Sequence, residues 1–366
     1  MNDLPKPARE AARIAFIGSA GIPNRYGGFE AFLEHCAPVM ARSVARVMVT
    51  CDRRLYDEHS TDFQGVQRLF IDVRANGGAS VLHDLLAFLA VWRHATHIVV
   101  LGVSGAPWFP LFRLLCALRG QRLLVNVDGV EWRRTKFSVG RRRLLKAFDA
   151  LAQTFAHQVI CDNAALRPFL LARARNQAIE LGYSGDHVKR LPGVSPQPGC
   201  ALTICRIEPE NNVDMLIDGM LRSRLPRYAV VGNWDASPWG RTLRERYAQE
   251  PRLALLDPIY DADELARLRG SCAVYLHGHS VGGTNPSLVE MLFYDCALFC
   301  VDVPFHHQTV GDCASYFQDA DSLARCLDEM HVAPGDRARQ RQRFTAERIV
   351  QGYIAALLNQ PASEGR

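Results

Sequence analysis

The chain has 366 residues, 48% of them hydrophobic, and a formal net charge of +5. That length and apolar content suit two sizeable cores and exclude a disordered or low-complexity chain. Eleven cysteines, an odd number, include several inside apolar strands (Cys51, Cys161, Cys205 and Cys272) and no CxxC pair, which suits reduced thiols in a cytoplasmic protein better than a disulfide framework.

In chain order, the start Met1-Asn-Asp-Leu-Pro-Lys-Pro7 lacks the apolar centre of a signal peptide. Apolar runs predict strands over 13–18, 46–51, 67–73, 97–102, 122–128, 158–162 and 179–182. Between them, Phe29, Phe32, Leu33, Cys36 and Met40 mark a helix with one apolar face, and Leu82, Leu85, Leu86 and Leu89 mark another. The apolar stretch 98–118 is interrupted by Gly102, Gly105, Pro107, Pro110 and Arg113, so it predicts strand, loop and helix rather than a membrane span. Arg133, Arg134, Lys136, Arg141, Arg142, Arg143 and Lys146 then gather positive charge in one short span. The Arg133–Lys146 cluster fits equally a solvated helix face and contact with an anionic membrane surface. No reader motif accompanies it, and no nucleic-acid partner is expected.

Proline and glycine crowd 191–199 into a linker, after which strands recur at 201–205, 228–232, 253–257, 272–276 and 297–302. The alternation predicts an α/β chain with two Rossmann-like, doubly wound parallel-sheet domains facing a cleft: 1–192 and 193–336. A last helix, 337–360, closes the chain.

Two segments carry chemistry. After the strand 272–276, His277-Gly-His-Ser-Val-Gly-Gly-Thr-Asn-Pro-Ser-Leu-Val-Glu290 joins a small-residue turn to a helix. Unpaired amides at that helix start, with the positive end of its dipole, suit phosphate. Glu290, about one turn further in, is placed to accept hydrogen bonds from ribose hydroxyls. Upstream, the strand 201–205 runs into Arg206 and the turn Glu208-Pro209-Glu210, so Arg206 can reach a phosphate over the carboxyl ends of the strands.

Arg206, Glu208-Pro209-Glu210, Gly282-Gly283, Pro286 and Glu290 together resemble the nucleotide-sugar half of the retaining glycosyltransferases of family 4. The whole run 277–290 resembles a branch that includes bacterial rhamnosyltransferases of surface-polysaccharide assembly. Ile14–Glu30 and Val127–Lys136 are similar to that branch's first two motifs, and shorter matches fall at Gly182-Tyr183, Val231-Gly-Asn-Trp234 and Pro258-Ile-Tyr260. The resemblance implies the GT-B architecture, with helix 337–360 crossing back onto the first domain. It implies a donor site of Gly27, Gly28, Arg206, Gly282, Gly283, Thr284, Asn285 and Glu290, and catalytic roles for Asp128, Arg206 and Glu131. Glu30 is a further candidate, and Asp128 lies where many relatives place a histidine beside the donor sugar.

Two departures stand out. Relatives carry a glutamate at the position of Gly282, and a lysine where Asn211 and Asn212 stand; His279 or Arg25 can compensate for the lost charge. Asp261-Ala-Asp263 and Asp319-Ala-Asp321 read as helix caps and His306-His307 lacks ligand spacing, so no metal is expected. The resulting expectation is a cytoplasmic retaining glycosyltransferase without cofactor, peripheral on the inner face of the cell membrane. It moves a hexose or deoxyhexose, foremost rhamnose from a dTDP- or UDP-linked donor, to a lipid-linked or oligosaccharide acceptor. A nucleotide-sugar epimerase of the same fold and a catalytically silent nucleotide-sugar-binding partner of an assembly complex are the alternatives.

Overall fold

A computed structural model describes residues 11–25, 27–134, 137–330 and 333–358. These form two compact units: 11–133 with 137–184 and 346–358, and Arg134 with 185–345. The division falls at 184/185, ahead of the proline-rich stretch, because that stretch runs directly into a strand beginning at Gln197.

The first unit holds an eight-stranded sheet of β1 (Arg13–Ile17), β2 (Arg46–Asp52), β3 (Asp62–Phe63), β4 (Val66–Ile71), β5 (His97–Leu101), β6 (Arg122–Asn126), β7 (Gln158–Cys161) and β8 (Ile179–Glu180). Their order is β3-β4-β2-β1-β5-β6-β7-β8, parallel except for the β3–β4 pair. Ile14, Ala15, Phe16 and Ile17 are all fully buried, as a parallel strand covered on both faces must be. Right-handed crossovers from β1 to β2 and from β4 to β5 run in opposite directions, so their helices cover opposite faces. One face packs helix Gly28–Ala41 with Ile14 and Phe16, and the other packs Ser80–Val91, Phe109–Leu118 and Val139–Phe155 with Ala15 and Ile17. Helix Ala346–Leu358 joins the first face, where Tyr353 stacks on Phe32 at 4.9 Å between ring centres.

The second unit has six parallel strands: β9 (Gln197–Ile204), β10 (Arg227–Val231), β11 (Leu253–Leu256), β12 (Cys272–His277), β13 (Ala297–Val301) and β14 (Ala314–Phe317). They are ordered β11-β10-β9-β12-β13-β14. Numbered from its own first strand, this sheet reads 3-2-1-4-5-6, and the first sheet has the same central order once the short antiparallel β3 is left out of the numbering, the doubly wound order with a switch point beside strand 1.

Four expectations are corrected. The final helix is two, Arg337–Gln342 in the second unit and Ala346–Leu358 in the first, while 359–360 lie outside the described residues. Strands β3 and β14 escaped the sequence reading because runs of two and four residues show too little periodicity. In helix Ser80–Val91 the leucine stripe faces outward: Leu82, Leu86 and Leu89 are exposed, whereas His83, Asp84, Ala87, Phe88 and Val91 are buried. Specific bonds draw the polar pair inward, with Ser104 Oγ donating to Asp84 at 2.5 Å and His83 Nδ1 donating to the Val73 carbonyl at 2.7 Å. Finally, Arg134 is buried in the second unit and leaves the basic cluster, of which Arg133, Arg141, Arg143 and Lys146 are exposed. Lys136 lies outside the described residues. All eleven cysteines are free.

Candidate functional site

In the second unit, β9 and β12 are neighbours whose following helices pack in different cores, Val213–Arg222 in one and Pro286–Met291 in the other. Their carboxyl-end loops therefore part at the switch point, where ligands of doubly wound sheets bind. Polar contacts hold the two loops in register. Ser280 donates through N and Oγ to the Glu210 carbonyl at 2.8 and 3.0 Å, and Asn212 Nδ2 donates to the Gly278 carbonyl at 2.7 Å. A β-carbon on Gly278 would lie 2.3 Å from the Asn211 carbonyl oxygen, so only glycine permits this approach.

Arg206 stands just past the end of β9 with its side chain 57% exposed, and its guanidinium is 4.0 Å from Glu208 Oε1. Its backbone is pinned, because Asn211 Nδ2 donates to the Arg206 carbonyl at 2.6 Å and Ile207 N donates to Asn233 Oδ1 at 2.8 Å. A long, exposed cation on a fixed base is suited to gripping a diphosphate. Buried Glu210 lies 3.8 Å from Arg134 Nη1.

The turn Gly282-Gly283-Thr284 is buried and leads into helix Pro286–Met291. The amides of that helix start are not the unpaired donors the sequence suggested. Pro286 has no N–H, Ser287 N donates to Asn285 Oδ1 at 3.0 Å, and Leu288 and Val289 N both donate to the Asn285 carbonyl at 3.1 Å. Asn285 is thus a helix cap, and any ligand-facing amides must come from the glycine turn itself.

Glu290 is also engaged. Arg269 Nη2, from helix Ala262–Ser271, bonds its Oε2, and His187 Nε2 lies 3.3 Å from its Oε1. Its side chain is 13% exposed, so the pair is nearly buried. Sequence reasoning missed both partners; His187 lies just beyond the Gly182-Tyr183 match, but nothing local ties it to position 290.

His279 supplies no positive charge. Burial, with His306, Arg134 and Arg206 nearby, pushes its pKa down to about 3. Burial also lowers His306 to about 4 and holds His277 well below the usual range. All three bind protons more readily unfolded, where the value is about 6.5, so their contribution to stability is full above that pH and is lost as pH falls toward 4. We expect chemical denaturation of the second unit, followed by Trp234 fluorescence, to lose about 1.4 kcal/mol per pH unit for each histidine titrating below pH 6.5. His306→Gln should flatten that slope; an unchanged slope would show that these rings do not set it.

In the first unit, Gly27 caps and Gly28 begins helix Gly28–Ala41. Glu30 is a brace rather than a free acid: its buried carboxylate accepts from Ala20 N at 2.6 Å and also from the Gly27 amide, tying the loop after β1 to the helix. Burial raises its pKa, and Asp128 adds a smaller push in the same direction. Asp128 follows β6 in the left-handed region (φ 59°), with its amide donating to Asn126 Oδ1 at 3.1 Å. Glu131 opens a short 3-10 turn, Glu131–Arg133, with its amide on the Gly129 carbonyl at 2.8 Å. Gly27, Gly28, Glu30 and Asp128 thus gather in one unit, and Arg206, Gly282, Gly283, Thr284 and Glu290 in the other. Arg25 is exposed in the first unit.

Asp261 accepts from the Asp263 and Glu264 amides and Asp319 from that of Ser322, so both Asp-Ala-Asp runs are helix caps. Among the described residues, no group of three or more His, Cys, Asp or Glu could hold a metal ion.

Two doubly wound units of this order, each with its loops at the switch point, constitute the α/β fold of GT-B glycosyltransferases. HepE of Anabaena, in complex with UDP and glucose, is similar at 16% identity over 95% of this chain and 100% of that one, with a TM-score of 0.69. Sucrose-phosphate synthase from Thermosynechococcus elongatus is 16% identical over 95% of each chain, TM-score 0.68. The lipopolysaccharide outer core galactosyltransferase WaaB is 13% identical over 94% of this chain and 98% of that one, TM-score 0.61. A family described as a domain of unknown function (DUF1972) matches residues 11–183. No curated protein matches the chain.

Proposed function

We propose that the chain is a glycosyltransferase that takes its sugar from a nucleotide diphosphate held by the second unit. The observation that carries this reading is the loop pair after β9 and β12, tied across the switch point and presenting exposed Arg206 beside a glycine turn. The fold, shared with a protein solved with UDP and glucose and with a lipopolysaccharide galactosyltransferase, supports it. The resemblance of 277–290 favours family 4, retention, and rhamnose from dTDP-rhamnose, for capsule, O-antigen or exopolysaccharide assembly.

In the proposed reaction the bond between the sugar's anomeric carbon and the diphosphate oxygen breaks while the acceptor hydroxyl oxygen bonds that carbon from the same face. The acceptor proton passes to the departing phosphate. Arg206 and the amides of 282–284 steady the charge that develops on the phosphate, while Asp128, with Glu131, serves the sugar or the acceptor hydroxyl. Gly27 and Gly28 allow close backbone approach, and the Glu290 carboxylate, an acceptor-only group, serves the ribose hydroxyls. No metal takes part.

Thermal-shift screening against UDP, dTDP, UDP-glucose and dTDP-rhamnose tests the reading. A true donor at a hundred times its Kd should stabilise the fold by about 2.7 kcal/mol. Adenine nucleotides shifting the melt as strongly as these would sink it. An epimerase would convert the nucleotide sugar without acceptor, and a silent partner would bind it without turnover.

The reading includes a lipid-linked or oligosaccharide acceptor and a peripheral place on the inner face of the cell membrane. Supporting it, Leu82, Leu86, Leu89, Leu111, Leu114, Leu118, Val139 and Leu144 are exposed on the three helices sharing one face of the first sheet. Within those helices the acids, Asp84 and Asp149, are buried, whereas Arg141, Arg143 and Lys146 are exposed. Apolar side chains fringed by cations suit an anionic bilayer. Among the described residues no helix is long and apolar enough to cross one. Flotation with phosphatidylglycerol vesicles should show binding that weakens with salt and is lost in Arg141→Glu/Arg143→Glu/Lys146→Glu. Equal flotation of both proteins would leave the cluster a solvated surface.

A further inference from the structure

Three imidazoles meet behind the turn after β12. The His277 and His306 ring centres are 4.9 Å apart, and those of His277 and His279 are 6.3 Å apart. His306 Nδ1 donates to the Val301 carbonyl at 2.8 Å, which spends its one proton inward. His279 alone of the three is bonded into the two loops of the switch point, with Nδ1 at 2.6 Å from Asn211 Oδ1.

The tautomer follows from the chain of bonds. Asn211 Nδ2 donates to the Arg206 carbonyl at 2.6 Å, so the amide is oriented and its Oδ1 faces the imidazole. That oxygen can only accept, so His279 Nδ1 carries the proton. A ring kept neutral by burial has one N–H, leaving Nε2 a bare lone pair. This nitrogen stands over the glycine turn: a β-carbon on Gly282 would lie 2.9 Å from it, and the φ of +136° there is one that side chains rarely adopt. The residue is 8% exposed, and no described residue donates a hydrogen bond to Nε2.

A neutral acceptor repels phosphate oxygens and is satisfied by an O–H. Resting on the functional reading above, we infer that His279 Nε2 accepts a hydrogen bond from one hydroxyl of the donor's sugar, making His279 a specificity-determining residue that selects sugars carrying that hydroxyl. Arg206, whose carbonyl anchors the same chain of bonds, then serves the phosphates while His279 reads the sugar. A donor lacking the hydroxyl leaves a buried acceptor unpaired and should bind about ten- to a hundredfold more weakly.

Isothermal titration of the full chain and of His279→Ala tests this, using UDP, dTDP, dTDP-rhamnose, UDP-glucose and the 2-, 3-, 4- and 6-deoxy forms of UDP-glucose. The variant should keep its affinity for UDP and dTDP and lose about ten- to a hundredfold for sugar donors. One deoxy analogue should show that loss already with wild type and no further loss with the variant. Equal losses on bare diphosphates and sugar donors would make the ring a structural support and overturn the assignment. So would undiminished affinity of the variant for every sugar donor. Wild type that binds none of these nucleotides overturns the functional reading itself. Because the substitution falls on a buried ring, nitrogen NMR of histidine-labelled wild type asks the same question without it. The Nε2 resonance should move with the sugar donor and not with UDP, and a resonance that moves equally with both overturns the assignment.

Discussion

Arg206→Ala is expected to lower sugar transfer by about a hundredfold, the effect of removing one preorganised donor worth about 3 kcal/mol from a developing charge. The melting temperature should not change. The side chain is more than half exposed and its ion pair with Glu208 is long, so no core contact goes with it. The loop should stay in place as well, because the backbone bonds from Asn211 and to Asn233 do not involve the side chain. Turnover equal to wild type would remove Arg206 from the diphosphate site. A falling melting temperature would mean that the side chain supports the loop.

The second large effect falls on stability. Glu290→Gln removes the charge facing Arg269, whose side chain is 11% exposed, and leaves a nearly buried guanidinium without its counter-ion. Breaking such a pair from one side costs about 3–5 kcal/mol, whereas replacing both charges is far milder. Glu290→Gln should therefore shift the denaturation midpoint strongly, and Glu290→Gln/Arg269→Gln should recover most of the loss in a double-mutant cycle. The double variant also separates the two duties of Glu290. If the carboxylate serves ribose as well, UDP affinity stays low after stability returns; if it recovers fully, Glu290 is only a strut. Wild-type stability of the single variant would show the pair to be dispensable.

The succession of strands and helices within each half could be read in advance because its signal is local. A covered parallel strand must be apolar along its whole length, as Ile14–Ile17 and Val274–Leu276 are, and seven such runs in the first half and five in the second, with helices between them, leave few foldings open. Where the candidate residues stand was legible for the same reason: Arg206, Gly282 and Glu290 each follow the end of a strand by a short stretch of chain. What those residues touch was not legible. Glu290 meets Arg269, 21 positions away, and His187, 103 away, and neither separation leaves a periodic trace.

Helix Ser80–Val91 shows the same limit from the other side. Its leucines have the 3.6-residue spacing of a core face, yet bonds from Ser104 to Asp84 and from His83 to Val73 turn a polar pair inward and leave Leu82, Leu86 and Leu89 outside. Sequence by itself determined the α/β class, the doubly wound alternation and the strand ends on which charged and small residues stand, since hydrophobic periodicity and turn chemistry act over a few residues. Only the tertiary structure decided that Arg134 is buried beside Glu210, that Glu290 is already paired, and that His279 is a neutral acceptor. Burial and the bonds of distant partners set those states, and both exist only once the loops after β9 and β12 have been brought together.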